Sequence, residues 1–432
     1  MDNAADNNTS HESLIGEPEL DVNTGSQIMH RLIIGDNLPI MRIIDPEYNG
    51  GVDVIYIDPP YNTRSNYIYD DHFNGGGERT WVDFMRPRLE LAKRLLSDQG
   101  LIFISIDENE RYELKPLMDS IFGKSRFIAD IVWKKKKSSG SNYHGATIST
   151  LTESILVYGG SNRVIMRGRE YDKSAYKLRD GHYDEWGGYN TRRLDISSLR
   201  YSPTLDYPLT VDGTTYYAGN PSNGRLPGRE DMERRIKEHR ERDWCWTWSK
   251  DHVEWGLRNG VVIVEHGIVK RKIYDKADYW GKPLRRSYNY TNLILDNAMT
   301  SDKGNTDIIA VFGRRVFSYP KPVALIKYLI SMCPNDDALV MDFFAGSGTT
   351  GQAVAEMNAD DGGHRQCVLI TDDDSNGRNR IDIGRAVTAE RMRRVLTGQD
   401  WHDGKQHRNL GQGMQVQSLQ TDGGGNPDCG DA

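Results

Sequence analysis

Cysteine is scarce in this chain. Cys245, Cys333, Cys367 and Cys429 stand far apart, with neither zinc-ligand spacing nor a disulfide framework, which favours a reducing compartment. Long apolar runs are missing as well. None follows Met1 and none would cross a bilayer, so the expectation is a soluble, cytoplasmic protein with no membrane partner. The histidines form no metal-spaced set, and no metal is expected. Positive charge is not in excess, since the net charge is -7 over 432 residues. That gives no sign of a globally basic nucleic-acid binder but leaves room for a basic cleft in an acidic molecule. Hydrophobic residues are 37% of the total, low for a globular protein yet far from the disordered range. The 9 tryptophans and 22 tyrosines are many for so polar a chain, and suit a binding surface as well as a core.

What the chain does have is one stretch around which the rest is arranged. Val52 to Ile57 is apolar but for Asp53 and reads as a strand. Asp58-Pro59-Pro60-Tyr61 follows as a stiff turn. Its prolines fix φ at two successive positions and remove two backbone donors. Left over are acceptors, the Asp58 carboxylate and the carbonyls of Asp58 and Pro59, beside the Tyr61 ring. Such a cluster grips a flat molecule carrying an NH2 group: the acceptors take its hydrogens while the ring stacks on its face. An ordinary turn of this composition would only expose the tyrosine.

Before this stretch, residues 1–28 are polar and expected to be disordered. Arg31 to Ile34 reads as a strand, with Asp36 at its C-terminal end, where open α/β sheets hold ligands; the alternative for Asp36 is a cap on the next turn. After it, Asn62 to Phe73 is polar, aromatic and aperiodic, as an active-site loop would be. Trp81 to Leu96 reads as a helix, and Leu101 to Ile106 as a buried parallel strand. Phe127 to Trp133 is a further strand, followed by Lys134, Lys135, Lys136 and Lys137, the densest positive patch in the chain and suited to a phosphate backbone unless simply solvated.

Residues 161–315 change character, with short apolar runs and many Arg, Tyr, Trp and Gly, and read as a domain inserted into the α/β unit. Arg192, Arg193, Arg285 and Arg286 are candidate contacts to phosphates or bases. Arg225 to Arg242 reads as a solvated charged helix. Trp244, Trp246 and Trp248 alternate and so share one side of an extended segment, as a domain core in preference to a stacking platform.

The α/β pattern then resumes. Ala338 to Met341 is a buried strand, Asp342-Phe343-Phe344-Ala345-Gly346-Ser347-Gly348 is a glycine turn, and a helix starts near Gly351. Strand, glycine turn and helix is the setting of a nucleotide-cofactor loop. Gly346, Gly348 and Gly351 match a dinucleotide spacing formally, a weak signal alone. An acid at the strand end suits a cationic ligand such as a sulfonium amino acid and would repel a pyrophosphate. Asp372, after the strand Gln366 to Thr371, is placed to accept a ribose hydroxyl, in competition with Asp373 and Asp374. Ile381 to Leu396 is an amphipathic, arginine-rich helix, and 398–432 is expected to be a disordered tail.

Asp58–Tyr61 and Phe344-Ala345-Gly346-Ser347-Gly348 together resemble the catalytic Asp-Pro-Pro-Tyr and cofactor Phe-x-Gly-x-Gly motifs of the amino-group DNA methyltransferases. Catalytic motif first and cofactor motif last is the permuted order of the β class. Finer matches, among them Gly35-Asp36-Asn37-Leu38, Trp246-Thr247-Trp248-Ser249 and Pro320-Lys321-Pro322, resemble the modification subunits of type III restriction systems. The resemblance implies a Rossmann-like fold with a mostly parallel sheet, in which 29–160 and 316–397 are the catalytic and cofactor halves and 161–315 recognises the target. It implies S-adenosyl-L-methionine as cofactor and adenine N6 in double-stranded DNA as acceptor, with Asp58 and the Pro59 carbonyl taking the amine hydrogens and Tyr61 stacked on a flipped base. A homodimer and a restriction subunit are the partners it implies. Cytosine-N4 methylation and a non-catalytic DNA-binding homologue are the competing readings; the leading Asp58 favours adenine.

Overall fold

The computed structural model describes residues 12–63, 80–138, 148–169, 172–198, 202–219, 243–284, 286–372 and 382–421. The chain forms two compact units, Met1–Arg167 with Tyr290–Ala432, and Gly168–Asn289. The first unit holds β1 (Glu12–Gly16), β2 (Met29–Ile34), β3 (Val52–Ile57), β4 (Leu96–Ile106), β5 (Phe127–Lys134) and β6 (Thr152–Gly159). Strands β7 (Tyr189–Arg193), β8 (Asp195–Ser198), β9 (Leu209–Val211), β10 (Thr214–Tyr216), β11 (Asp243–Trp246), β12 (Val262–Glu265) and β13 (Ile268–Tyr274) belong to the second. The first resumes with β14 (Leu293–Ile294), β15 (Leu339–Asp342), β16 (Gln366–Thr371) and β17 (Gly413–Thr421).

The first unit is one ten-stranded sheet, ordered β1-β17-β2-β16-β15-β3-β4-β6-β5-β14. From β17 to β4 all neighbours are parallel, while β6 runs against both β4 and β5. The near-continuous apolar runs are explained by helices on both faces. Val54, Tyr56, Leu32 and Phe103 pack on one face with Leu325, Leu329, Ala353 and Val354. Their neighbours Ile55, Ile57, Ile33 and Ile102 pack on the other with Ile40, Met41, Met85 and Leu89. Alternation along each strand therefore feeds two cores. The helix after β3, Trp81–Leu95, covers one face, and the helix after β15, Thr349–Asp361, covers the other. Chain connections thus diverge between two adjacent parallel strands, and a crevice opens at their C-terminal ends.

Three expected boundaries move. Residues 12–28, expected to be disordered, supply β1, and Val22 is buried in the core. The tail from 398, also expected to be disordered, supplies β17, which lies between β1 and β2 and pairs with both. Glutamines at 415, 417 and 420 give it a disordered-looking composition, but Met414 and Val416 alternate with them into the core. The inserted unit is shorter than 161–315: β14 pairs with β5, and helix Ser301–Phe312 also belongs to the first unit. Short apolar runs hid both from the periodicity.

The second unit contains a three-stranded sheet, β12-β13-β7, and two antiparallel pairs, β8 with β11 and β9 with β10. Trp246 and Trp248 are buried with Leu194, Val253 and Val262, and Trp244 packs against them, so the alternating tryptophans form a core as expected. The charged segment 225–242 and Arg285 lie outside the described residues.

Candidate active site

The Asp58 turn closes β3, and its neighbours fix it from several directions. The Trp81 indole donates to the Pro60 carbonyl at 2.7 Å. Trp81 opens a helix secured by a reciprocal Thr80–Asp83 cap. Asp58 Oδ1 accepts from the Tyr61 hydroxyl at 2.6 Å and from Lys321 Nζ at 2.6 Å. Lys321 Nζ also reaches the Tyr61 hydroxyl at 2.9 Å and lies 3.8 Å from Glu153 Oε2 on β6. Glu153 is paired in turn with Lys135 at 3.0 Å. Burial raises the Asp58 pKa, while Lys321 and the Tyr61 hydroxyl pull it back. Burial and the Asp58 carboxylate push the Tyr61 phenol far up, so it stays a donor. Among the described residues, Asp58 Oδ2 and the Pro59 carbonyl have no hydrogen-bond partner.

The neighbouring strand β15 carries the glycine loop. Asp342 is buried and accepts from Thr350 Oγ1 at 2.5 Å and from the Phe344 amide at 3.0 Å. Gly346 and Gly348 take φ of 49° and 76°, a region that disfavours side chains. Arg391, fully buried behind the loop, donates to Thr349 Oγ1 at 2.8 Å, to the Ser347 carbonyl at 3.1 Å and to Gln352 at 2.8 Å. It holds the turn from below.

Between the two motifs lies a cavity of about 430 Å³. Asp58 and Pro60 line it from one strand, Asp342, Phe344, Ala345, Gly346 and Ser347 from the next, and Asp36 and Asp372 from the ends of β2 and β16. Pro59, Tyr61 and Gly348 are not among its lining residues. Asp36 serves both readings offered for it: it caps the following helix through the Leu38 amide at 2.9 Å and it lines the cavity. Residues 373 and 374 lie outside the described residues.

Several lining residues carried no usable signal in the sequence. Arg88 stacks 3.6 Å over the Phe84 ring and bonds Asn37 and Asp36 at 2.6 and 3.0 Å. Phe84 and Arg88 are one helical turn apart, a spacing that any amphipathic helix contains. Lys321 is flanked by Pro320 and Pro322, and that rigid frame was the available hint.

The predicted basic contacts divide. Lys136 and Lys137 are exposed, whereas Lys135 is turned to Glu153 and Lys134 ends β5. Arg192 is exposed, but Arg193 grips Asp195 through two 2.8 Å bonds, and Arg286 is tied to the carbonyls of Tyr274 and Ala277. Arg193 and Arg286 therefore hold the second unit together.

Acceptors on one parallel strand, a glycine loop on the next and helices diverging between them define an α/β methyltransferase site with permuted motifs. The chain belongs to the DNA methylase family, whose model matches residues 52–368. This is a family of S-adenosylmethionine-dependent DNA methyltransferases. The chain is 34% identical to the type III restriction-modification enzyme StyLTI Mod subunit of Salmonella typhimurium, over 84% of this chain and 56% of that protein. It is 34% identical to the type II methyltransferase M.KpnI of Klebsiella pneumoniae, over 78% of this chain and 79% of that protein. Against the EcoPI Mod subunit of Escherichia phage P1 it is 27% identical, over 84% and 62%. The chain thus spans little more than half of these type III subunits and most of the type II enzyme. Among the described residues no helix is long and apolar enough to cross a membrane.

The cavity fits the family's cofactor. Gly346 takes a φ of 49° and a Cβ there would stand 3.1 Å from the Phe317 ring, so a side chain would force the loop or that ring, both of which line the cavity, to shift. Phe84, Phe344 and Ile383 offer apolar faces for a purine, and Asp372 is exposed at the ribose position of such folds.

Asp342 makes a pH-dependent contribution to stability. Burial pushes its pKa to about 7 from an ordinary 3.8, with Thr350 and the Phe344 amide opposing. The folded state thus favours the protonated acid. Its contribution to stability is therefore expected to be highest below about pH 4 and to fall, by on the order of 4 kcal/mol in all, as pH rises from about 4 to about 7, levelling off above. Asp342→Asn cannot ionise, and its urea midpoint is expected to fall less than the wild type's between about pH 5 and about pH 8. Parallel curves for the two proteins would contradict this.

Proposed function

We propose that this protein transfers a methyl group from S-adenosylmethionine to the N6 amine of an adenine flipped out of duplex DNA. The observation that carries the reading is the pair of acceptors without a hydrogen-bond partner among the described residues, Asp58 Oδ2 and the Pro59 carbonyl, in a turn whose Asp58 and Pro60 line the cavity. The adenine amine is a weak nucleophile because its lone pair is delocalised into the ring. Two acceptors on its two hydrogens favour a more tetrahedral nitrogen and stabilise the positive charge that develops there. Asp36, Phe84, Phe344, Gly346 and Asp372 would hold the cofactor, which when bound would supply the methyl group as a sulfonium electrophile and be left as a neutral thioether, while the methylated amine would give up one of its two hydrogens to solvent as a proton. Loop and turn, on adjacent strands, restrict the approach of the two reactants to one geometry. Incubating the protein with duplex DNA and methyl-labelled cofactor is expected to place acid-stable label in the DNA. DNA without label would refute the activity.

The unit Gly168–Asn289 is proposed to read the target, with a second copy of the chain and a restriction subunit as partners. Cytoplasmic DNA is the expected substrate. Lys136 and Lys137 are proposed to contact phosphates. Replacing both with alanine should weaken binding at every sequence and flatten the log–log salt dependence by about 2, roughly 0.9 per contact. Lys135→Ala, which removes a partner of Glu153, should leave the slope as it is. Equal flattening by all three lysines would contradict the division.

A further inference from the structure

Lys321 and Glu153 have no part in the scheme above, yet they surround its central acid. Lys321 reaches Asp58 from 263 residues away in the chain. Its backbone is held: Pro320 and Pro322 flank it, Tyr319 before them takes a strained φ of 54°, and Gly304 packs so closely on the Pro320 carbonyl that a Cβ there would lie 1.9 Å from the oxygen. The Lys321 side chain is 11% exposed and lies 5.0 Å over the Tyr61 ring. A buried ammonium so constrained is a fixed point charge aimed at one oxygen of Asp58.

We propose, resting on the methyltransferase reading, that Lys321 is a positioning residue: it pins Asp58 Oδ1, keeps the carboxylate ionised and leaves Oδ2 to the substrate amine, with Glu153 as the counterweight that moderates this pull. The surroundings allow it. Facing Asp58 are Tyr61 from its own turn, Tyr56 on β3, Lys321, Glu153 on β6 and Asp342 at the end of β15. Lys135 and Asp107 act from further out, on Glu153 and Lys321. Among the described residues Lys321 is the cation in direct contact with Asp58, so the ionisation of a partly buried acid among other acids depends on it. Burial works against the Lys321 charge, but Asp58 and Glu153 outweigh burial and hold its pKa above the ordinary value. A protonated Asp58 would present a donor where the amine needs an acceptor.

The test is the pH dependence of kcat/KM for methyl transfer to duplex DNA, whose acidic limb reports the essential base of the free enzyme. Lys321→Met should move that limb upward by about 1–3 pH units, the range an adjacent cation commands. Lys321→Arg, which keeps the charge, should restore the limb toward the wild type. Glu153→Gln should move it the opposite way, to lower pH, and this variant keeps the test alive if Lys321→Met does not fold. A merely structural lysine would lower rate or stability without moving the limb. An unmoved limb in Lys321→Met, or an upward move in Glu153→Gln, overturns the assignment while leaving the methyltransferase reading intact. A wild-type protein that transfers no methyl group overturns that reading and this inference with it.

Discussion

Asp58→Ala is expected to lower kcat for the proposed methyl transfer by about 10²–10³-fold or more, the scale of losing one preorganised group that meets developing charge. The variant removes both oxygens of the carboxylate: Oδ2, the proposed acceptor for the amine, and Oδ1, the anchor for Lys321 and Tyr61. Cofactor affinity should change little, because the glycine loop, Arg88 and Arg391 are held by contacts that do not involve Asp58. Lys321 retains Glu153 as a counter-charge, which limits the damage to folding. Calorimetry for the cofactor and single-turnover transfer on the same preparation separate the two effects. A folded Asp58→Ala protein with wild-type turnover would remove Asp58 from the chemistry.

Gly346→Val is expected to weaken S-adenosylmethionine binding by roughly 10–100-fold, from about 1–3 kcal/mol of backbone strain. At φ 49° a β-branched residue is disfavoured whatever the available space, and its Cβ would meet Phe317 at 3.1 Å. The obstacle is therefore not a side chain projecting directly into the cofactor. A valine forces either the loop or Phe317 to shift, and both line the cavity. Binding must then restore the native turn at the cost of that strain. Titration calorimetry on a folded variant with unchanged affinity would contradict this account.

Both motif regions were legible because each is local: an apolar strand followed by residues whose conformations are special. Two prolines mark the end of β3, and two glycines mark the turn after β15. What was not legible depends on partners far away in the chain. Nothing near Lys321 announces Asp58, and nothing near Glu153 announces Lys321. Charge alone does not distinguish Arg192 on the surface from Arg193 bound to Asp195, nor Lys136 from Lys135. The same blindness explains β17. Its alternating Met414 and Val416 gain meaning only beside β1 and β2, nearly the whole chain away.

The most direct test of the central claim is the identity of the modified nucleoside. Duplex DNA treated with the purified protein and S-adenosylmethionine, digested to nucleosides and analysed by mass spectrometry, is expected to contain N6-methyladenine. N4-methylcytosine in its place, or no modified base at all, would contradict it.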